Sequence, residues 1–362
     1  MRFLFYPLSL VYGFFMMVRN WLFNWGILPS RSYDVSVISV GNLSLGGTGK
    51  TPHIEYLIRL LSDEFSVATL SRGYGRKSRG FILGSKKTNF RYLGDEPIQI
   101  VKKFEKVKVA VDEKRTRGIR LLLKKFPELD IILLDDAFQH RYVKPGYSIL
   151  LSDYYHLYSS DHTIPYGHLR EFPVGAKRAD CIIITKTPKI FSPITRRRII
   201  AEIKPMYHQQ VFFSYIKYGG PVPLNENTPS AIPLKLSFIL LFTGIADNDL
   251  LKEHLARLCT DLTTIEFRDH HQYTLKDLER IKNKYEGLPT QKKLLVTTEK
   301  DTMRLRTTEL SQLLKTMPIY YIPIEVDFHG EDKNVFDKTI LDYVEKNKRD
   351  RRISGDKDSE QT

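Results

Sequence analysis

The sequence predicts an α/β protein in which a parallel sheet carries a glycine-rich phosphate-binding loop (a P-loop), followed by a second, smaller α/β domain. Three observations predict this. Residues 35–51 run from an apolar strand into a glycine-rich turn closing on Gly49-Lys50-Thr51, and a helical pattern starts at Pro52. Residues 131–134 form a continuous apolar run, the signature of a strand covered on both faces, and end in Asp135-Asp136. Strand and helix patterns alternate, break at a Gly-, Pro- and Asn-rich stretch, and then resume. Each half therefore builds a parallel sheet that binds ligands at the carboxyl ends of its strands.

Residues 3–18 are almost wholly apolar or aromatic and lie between Arg2 and Arg19. The two tryptophans of the chain, Trp21 and Trp25, follow one helical turn apart. A spanning helix needs about 20 apolar residues, so the run is marginal for crossing a bilayer. No small-residue cleavage site follows it, which argues against a signal peptide. Residues 1–28 are expected to form an interfacial helix, with the tryptophans at headgroup level and the arginines as anchors.

The loop itself is Gly46-Gly47-Thr48-Gly49-Lys50-Thr51. Such a loop aims successive backbone N–H groups and a helix N-terminus at an anion. Lys50 would reach the terminal phosphates and the Thr51 hydroxyl would hold Mg²⁺. The strict pattern has a glycine where this chain has Ser44, but Gly46 and Gly47 still permit close backbone approach.

After a helix at 52–62 and a strand at 67–70, Ser71-Arg72-Gly73-Tyr74-Gly75-Arg76-Lys77-Ser78-Arg79 is a basic loop suited to phosphate. Gly94-Asp95-Glu96-Pro97 opens a helix to Phe104, then a strand at 107–111 and a basic helix at 113–126 follow. In phosphate-loop enzymes an Asp at the end of a neighbouring strand binds Mg²⁺, the role expected of Asp135 or Asp136. Strands at 147–151 and 181–184 flank a loop containing Arg170-Glu171, and 188–210 reads as a basic helical stretch.

The pattern changes at 211–237, which sets the boundary between a core domain at 29–210 and a smaller α/β domain at 238–346. The second half shows strands at 238–242, 263–267, 294–297 and 319–324, with a helix at 275–285. Residues 347–362 are polar and charged and read as a disordered tail.

Composition narrows the partners. The chain has 362 residues and a net charge of +14, which favours anionic partners. It carries no helix-turn-helix, zinc or RNA-binding aromatic signature, so nucleic acid is not expected. Its two cysteines, Cys181 and Cys259, are far apart and read as free thiols of a reducing compartment.

An ordered series of motifs resembles the tetraacyldisaccharide 4'-kinase (lipid A 4'-kinase) family of Gram-negative bacteria. The series is Gly41-Asn42 to Thr51-Pro52, Ser71-Arg72-Gly73-Tyr74-Gly75, Gly94-Asp95-Glu96-Pro97, Asp135-Asp136-Ala137-Phe138-Gln139-His140, Leu169-Arg170-Glu171, Phe242-Thr243-Gly244-Ile245-Ala246, Asp269-His270-His271 and Thr298-Glu299-Lys300-Asp301. The family's loop also lacks the first glycine. The resemblance implies a monomeric kinase at the cytoplasmic face of the inner membrane. It would transfer the γ-phosphate of ATP to the 4'-hydroxyl of a tetraacylated disaccharide 1-phosphate, a step of lipid A biosynthesis. It also implies a second domain tethered by a β-ribbon, Asp95 as the base, and His270 as its partner with His271 as the alternative. Mg²⁺ would be held by Thr51, Asp135 or Asp136, and Glu171, while Arg72 and Arg170 would contact phosphate.

A rival reading is a membrane-recruited NTPase switch acting on a protein partner. Guanine-specific switches carry Asn/Thr-Lys-x-Asp, and Thr185-Lys186-Thr187-Pro188 has proline where that aspartate stands.

Overall fold

The computed structural model describes residues 5–229, 232 and 236–359, with side chains through Arg351. The first half runs α1 (Tyr6–Asn24), β1 (Ser36–Asn42), α2 (Lys50–Leu61), β2 (Val67–Ser71), β3 (Ile82–Leu83), α3 (Phe90–Leu93), α4 (Asp95–Lys103), β4 (Lys108–Val111), α5 (Arg115–Lys125), β5 (Ile131–Asp135), β6 (Tyr147–Asp153), β7 (Cys181–Thr185), α6 (Pro193–Ile203) and β8 (Gln210–Tyr218). The second domain holds β9 (Val222–Pro223), β10 (Leu236–Thr243), α7 (Asp249–Ala256), β11 (Cys259–Glu266), α8 (Leu275–Glu286), β12 (Lys293–Thr298), α9 (Glu299–Leu305), α10 (Ser311–Leu314) and β13 (Ile319–Ile322). The chain then closes with β14 (Ile324–Phe328) and α11 (Asp332–Ser359).

A nine-stranded sheet has the order β14-β8-β7-β6-β1-β5-β2-β4-β3. β1 lies parallel between β5 and β6, so the phosphate loop leaves the middle of the sheet beside the acidic end of β5. Every residue of β1 and β5 is buried, as their apolar runs require. One core packs Ile38, Val40, Ile54, Leu57 and Ile58 against Phe336 and Ile340 of α11. The second domain has a five-stranded sheet, β11-β10-β12-β13-β9, parallel except for β9.

The chain's last elements return to the first sheet. β14 pairs antiparallel with β8, from Ser214↔Phe328 to Tyr218↔Ile324, while the start of β8 pairs parallel with β7. The boundary expected at 211–237 therefore falls differently: half of that ribbon's hydrogen bonding comes from beyond residue 323, and residues 324–346 belong with the core domain. The tail expected to be disordered from 347 instead continues α11 to Ser359. Lys348 meets Asp130 at 3.1 Å and lies over the Phe65 ring, and Arg351 donates to the Leu129 carbonyl. Long cationic side chains thus pack through their stems where composition alone suggested a solvated segment. Residues 360–362 lie outside the described residues.

Among the described residues no helix is long and apolar enough to cross a membrane. α1 is nevertheless two-faced. Phe14, Phe15, Trp21 and Trp25 are exposed, whereas Ser9, Gly13 and Phe23 are buried against the core domain. Gly13 is required there, since a Cβ would collide with the Phe172 ring.

Candidate active site

Gly49 caps α2 in the left-handed conformation (φ 83°), where only glycine turns without strain. That turn points the first N–H groups of α2 outward from the end of β1. Lys50 Nζ lies 3.4 Å from Asn42 Oδ1 and 3.7 Å from Asp136. Gly46 and Gly47 are exposed on the loop, and Thr48 is buried with its hydroxyl unpartnered. His53 anchors the loop from behind, bonding Gly49 O at 2.7 Å and Ser214 Oγ at 3.0 Å. Burial lowers its imidazole to about 4, so it is neutral in this role.

The acidic turn is pressed against β1. A Cβ on Gly41 would come within 2.7 Å of Phe138 Cβ, so this close approach needs the glycine. Asp135 is buried, and burial, then Glu96 and Asp136, raise its carboxyl to about 7. Its Oδ1 has no hydrogen-bond partner. Arg115, wholly buried, donates to the carbonyls of Asp112 and Asp135 and fixes the end of β5. Asp136 has a left-handed backbone (φ 47°) that turns its side chain toward Arg170, at 2.9 and 3.1 Å. Burial pushes Asp136 up, but Lys50 and Arg170 outweigh it and hold the carboxyl below its usual range.

Mg²⁺ is held in such sites by one or two carboxylates, with phosphate oxygens and water completing the octahedron. Asp135, with an unpartnered buried oxygen, fits that role, and Thr51 follows Lys50 at the same helix start. Two other residues expected to ligate metal are engaged elsewhere. Asp136 is taken by Arg170 and Lys50. Glu171 accepts from Arg178 at 2.8 and 3.0 Å, from Asn20 of α1 at 2.6 Å and from Gln139 at 3.2 Å. Sequence spacing gives no sign of these arginine and asparagine partners. Among the described residues no group of three or more His, Cys, Asp or Glu is set to hold a metal unaided.

The second domain completes the site. His270 Nδ1 lies 3.0 Å from Asp95 Oδ2, and His270 is turned inward by a left-handed backbone (φ 57°) with its N–H on Gly244 O. His271 faces away, 3.0 Å from Asp277. Asp95 is buried at the start of α4, and Arg304 Nε stands 3.4 Å from the same Oδ2. Arg304 also donates to Gly244 O and pairs with Asp301 at 2.9 Å, so one buried guanidinium organises this corner. Beside it Lys300 meets Glu96 at 3.0 Å. Burial pushes Glu96 up, but Lys300 outweighs it and holds the carboxyl down. Arg72 is exposed at the end of β2, on the loop beside Asp95, and Tyr74 of that loop packs against the His270 ring at 5.1 Å.

Sequence reasoning did not single out Glu96, Arg115, Lys300 or Arg304 as site residues. Glu96 had a signal in its adjacency to Asp95. Lys300 had one in the Thr298–Asp301 motif, whereas Arg115 and Arg304 reach the site through contacts distant in the chain, to Asp135 and Asp95.

A phosphate loop on one domain, facing a carboxylate that meets an imidazole of the other, is the arrangement of a phosphate-loop phosphotransferase. A family model described as Tetraacyldisaccharide-1-P 4'-kinase matches residues 1–345. The chain is 43% identical over 355 residues to a tetraacyldisaccharide 4'-kinase of Phocaeicola vulgatus, covering 96% of this chain and 97% of the relative. It is 45% identical over 347 residues to the same-named enzyme of Flavobacterium johnsoniae, covering 96% and 98%. A crystal structure of LpxK from Aquifex aeolicus in complex with ATP superposes with a TM-score of 0.71 at 28% identity, covering 95% of this chain and 99% of that one. This chain belongs to the tetraacyldisaccharide 4'-kinase family and is a kinase.

Proposed function

We propose that this chain transfers the γ-phosphate of ATP to the 4'-hydroxyl of a tetraacylated glucosamine disaccharide 1-phosphate, at the cytoplasmic face of the inner membrane. The observation that carries this reading is the Asp95–His270 contact across the domain interface. A sugar hydroxyl is a weak nucleophile, so its proton must be accepted as the new P–O bond forms. Both His270 and Arg304 contact Oδ2 of Asp95, and Oδ1 takes the acceptor proton in this assignment. His270 orients the carboxylate and can share the proton.

The phosphate side is electrostatic. The loop N–H groups of residues 46–51 and Lys50 hold the β- and γ-phosphates and stabilise charge on the transferring group. Arg170 keeps the Asp136 carboxylate against Lys50, which sets where the ammonium sits. Asp135 and Thr51 would hold Mg²⁺, which would supply charge neutralisation to the phosphates. Because Asp95 and His270 come from different domains, the pair is complete only when the halves are closed, which ties transfer to acceptor capture. The exposed aromatic face of α1 would lie in the lipid headgroup layer and keep the cleft beside the acylated substrate.

The test is transfer of labelled γ-phosphate from ATP to purified tetraacyl disaccharide 1-phosphate in detergent with Mg²⁺, beside Asp95→Ala. Lipid phosphorylation by wild type and not by the variant supports the reading. ATP hydrolysis with no phosphorylated lipid rejects it.

A further inference from the structure

The imidazole of His53 touches the phosphate loop on one side and both strands of the β8–β14 ribbon on the other. Gly49 O can only accept, so Nδ1, 2.7 Å away, carries the proton of the neutral ring. Nε2 is then a bare acceptor, and the Ser214 hydroxyl of β8 donates to it at 3.0 Å. Both nitrogens of this buried ring are thereby taken, and none is left to reach a phosphate. The Phe328 ring of β14 stands edge-on to the imidazole, with centroids 6.4 Å apart.

Ser214 and Phe328 are paired with each other. They form one end of the ribbon, and from the other end, Tyr218 and Ile324, the chain passes to and from the second domain. The Ser214 carbonyl accepts from the N–H and the hydroxyl of Thr187 at 3.0 and 2.8 Å, and His329 Nε2 meets that hydroxyl at 2.8 Å. Lys186, beside Thr187, pairs with Asp247 of the second domain at 2.6 Å. The base of the ribbon is thus a hydrogen-bonded cluster, and His53 is its link to the loop.

This arrangement makes the loop and the ribbon depend on each other. Gly49 is the left-handed cap whose turn aims the first N–H groups of α2. A shift of that turn carries the Gly49 carbonyl away from Nδ1. A buried N–H without an acceptor is costly, so the ring follows the carbonyl. A ring that follows then draws on Ser214 and Phe328 behind it, because close-packed groups re-seat together rather than stretch apart.

We propose that His53 is a positioning residue that links the phosphate loop to the base of the interdomain ribbon, so that nucleotide occupancy and the placement of the second domain bias each other. This rests on the phosphate-loop reading above and adds the residue that carries the influence. The effect is reciprocal: a nucleotide that steadies the ribbon is itself bound less tightly when the ribbon end of the link is cut.

The test follows hydrogen exchange in residues 214–218 and 324–328 of the full chain, with and without a saturating β,γ-imido analogue of ATP and Mg²⁺. Wild type is set beside His53→Phe, which keeps a flat ring and loses both bonds, and Ser214→Ala, which loses one hydroxyl and leaves the Gly49 bond intact. The analogue should slow ribbon exchange in wild type by at least about fivefold, and both variants should lose most of that response. Ser214→Ala, outside the loop, should also bind the analogue about fivefold more weakly by calorimetry. A merely structural histidine would instead speed exchange equally with and without nucleotide and leave the response intact. Ser214→Ala decides alone if His53→Phe does not fold. A retained response or unchanged affinity in Ser214→Ala, or no response in wild type that binds the analogue, overturns the proposal. Wild type that does not bind the analogue overturns the phosphate-loop reading itself.

Discussion

His270 of the second domain places Nδ1 3.0 Å from Oδ2 of Asp95, which opens a helix of the first. Removing either side should therefore damage the chemical step rather than nucleotide binding. Asp95→Ala should lower kcat by about 10²–10⁴-fold with the KM for ATP within about twofold, and His270→Ala should follow it with a smaller loss. Steady-state kinetics at saturating lipid check this; near-normal turnover of Asp95→Ala would remove it as the base.

Lys50 contacts only Asn42 and Asp136 among the bonds and ion pairs described, so its loss should spare the fold. Lys50→Ala should reduce transfer at least about 100-fold, as expected for a group that stabilises transition-state charge. Normal kinetics in a variant with an unchanged melting temperature would discredit the phosphate cradle.

Asp135 gives a pH signature. Its carboxyl is raised to about 7 by burial first and by Glu96 and Asp136 next, so the folded protein holds a proton that the unfolded chain releases near 4. Native stability from this group is complete below about 4 and is lost as pH rises to about 7. Asp135→Asn, which stays neutral, should gain melting temperature relative to wild type across that window while losing activity. Parallel melting curves of the metal-free proteins at every pH would contradict the assignment.

Lys103 joins three elements, at 2.8 Å from Glu55 of α2 and 3.0 Å from Glu299 of α9. Glu55 is buried and keeps Gln99 and Arg59 as partners if Lys103 is lost. Lys103→Met should therefore cost about 1–3 kcal/mol, less than a fully orphaned buried charge. Urea denaturation reads this directly; a change below about 0.5 kcal/mol would mean the bridge is solvated.

The two faces of α1 should separate experimentally. Replacing Phe14, Phe15 and Trp25 by serine should release the protein from anionic lipid vesicles and leave ATP binding intact. Deleting residues 1–28 should do more, because Asn20 holds Glu171 and Tyr12 bonds the Arg170 carbonyl. Vesicle sedimentation with ATP calorimetry distinguishes the two; retention of the triple variant on vesicles would move the anchor elsewhere.

Much of the first sheet and the phosphate loop is readable from the sequence, because β5 is a continuous apolar run up to Asp135, β1 alternates apolar with small residues, and the loop must carry glycine. Asp95 and His270 are readable only through the motif series. Which histidine faces Asp95 is not, since adjacent residues differ only by a left-handed backbone at His270. The engagement of Asp136 and Glu171 is equally hidden, because it depends on where Arg170, Arg178 and Asn20 fall in space. β14 escapes notice because its partner, β8, lies more than a hundred residues earlier. The polar composition after residue 346 hides a helix held by Lys348 and Arg351.

The pairing of β8 with β14 has a mechanical consequence. Two antiparallel strands form a strap that bends across its flat face more readily than it shears, since shear breaks every ladder hydrogen bond. The outer domain can then swing along essentially one coordinate, as a door does on its hinge. Motion along that coordinate would bring His270 to Asp95 and Asp247 to Lys186 in one registration, with no search over orientation. Juxtaposing these groups becomes an intramolecular event at high effective concentration, so little binding energy from the lipid is needed to align them.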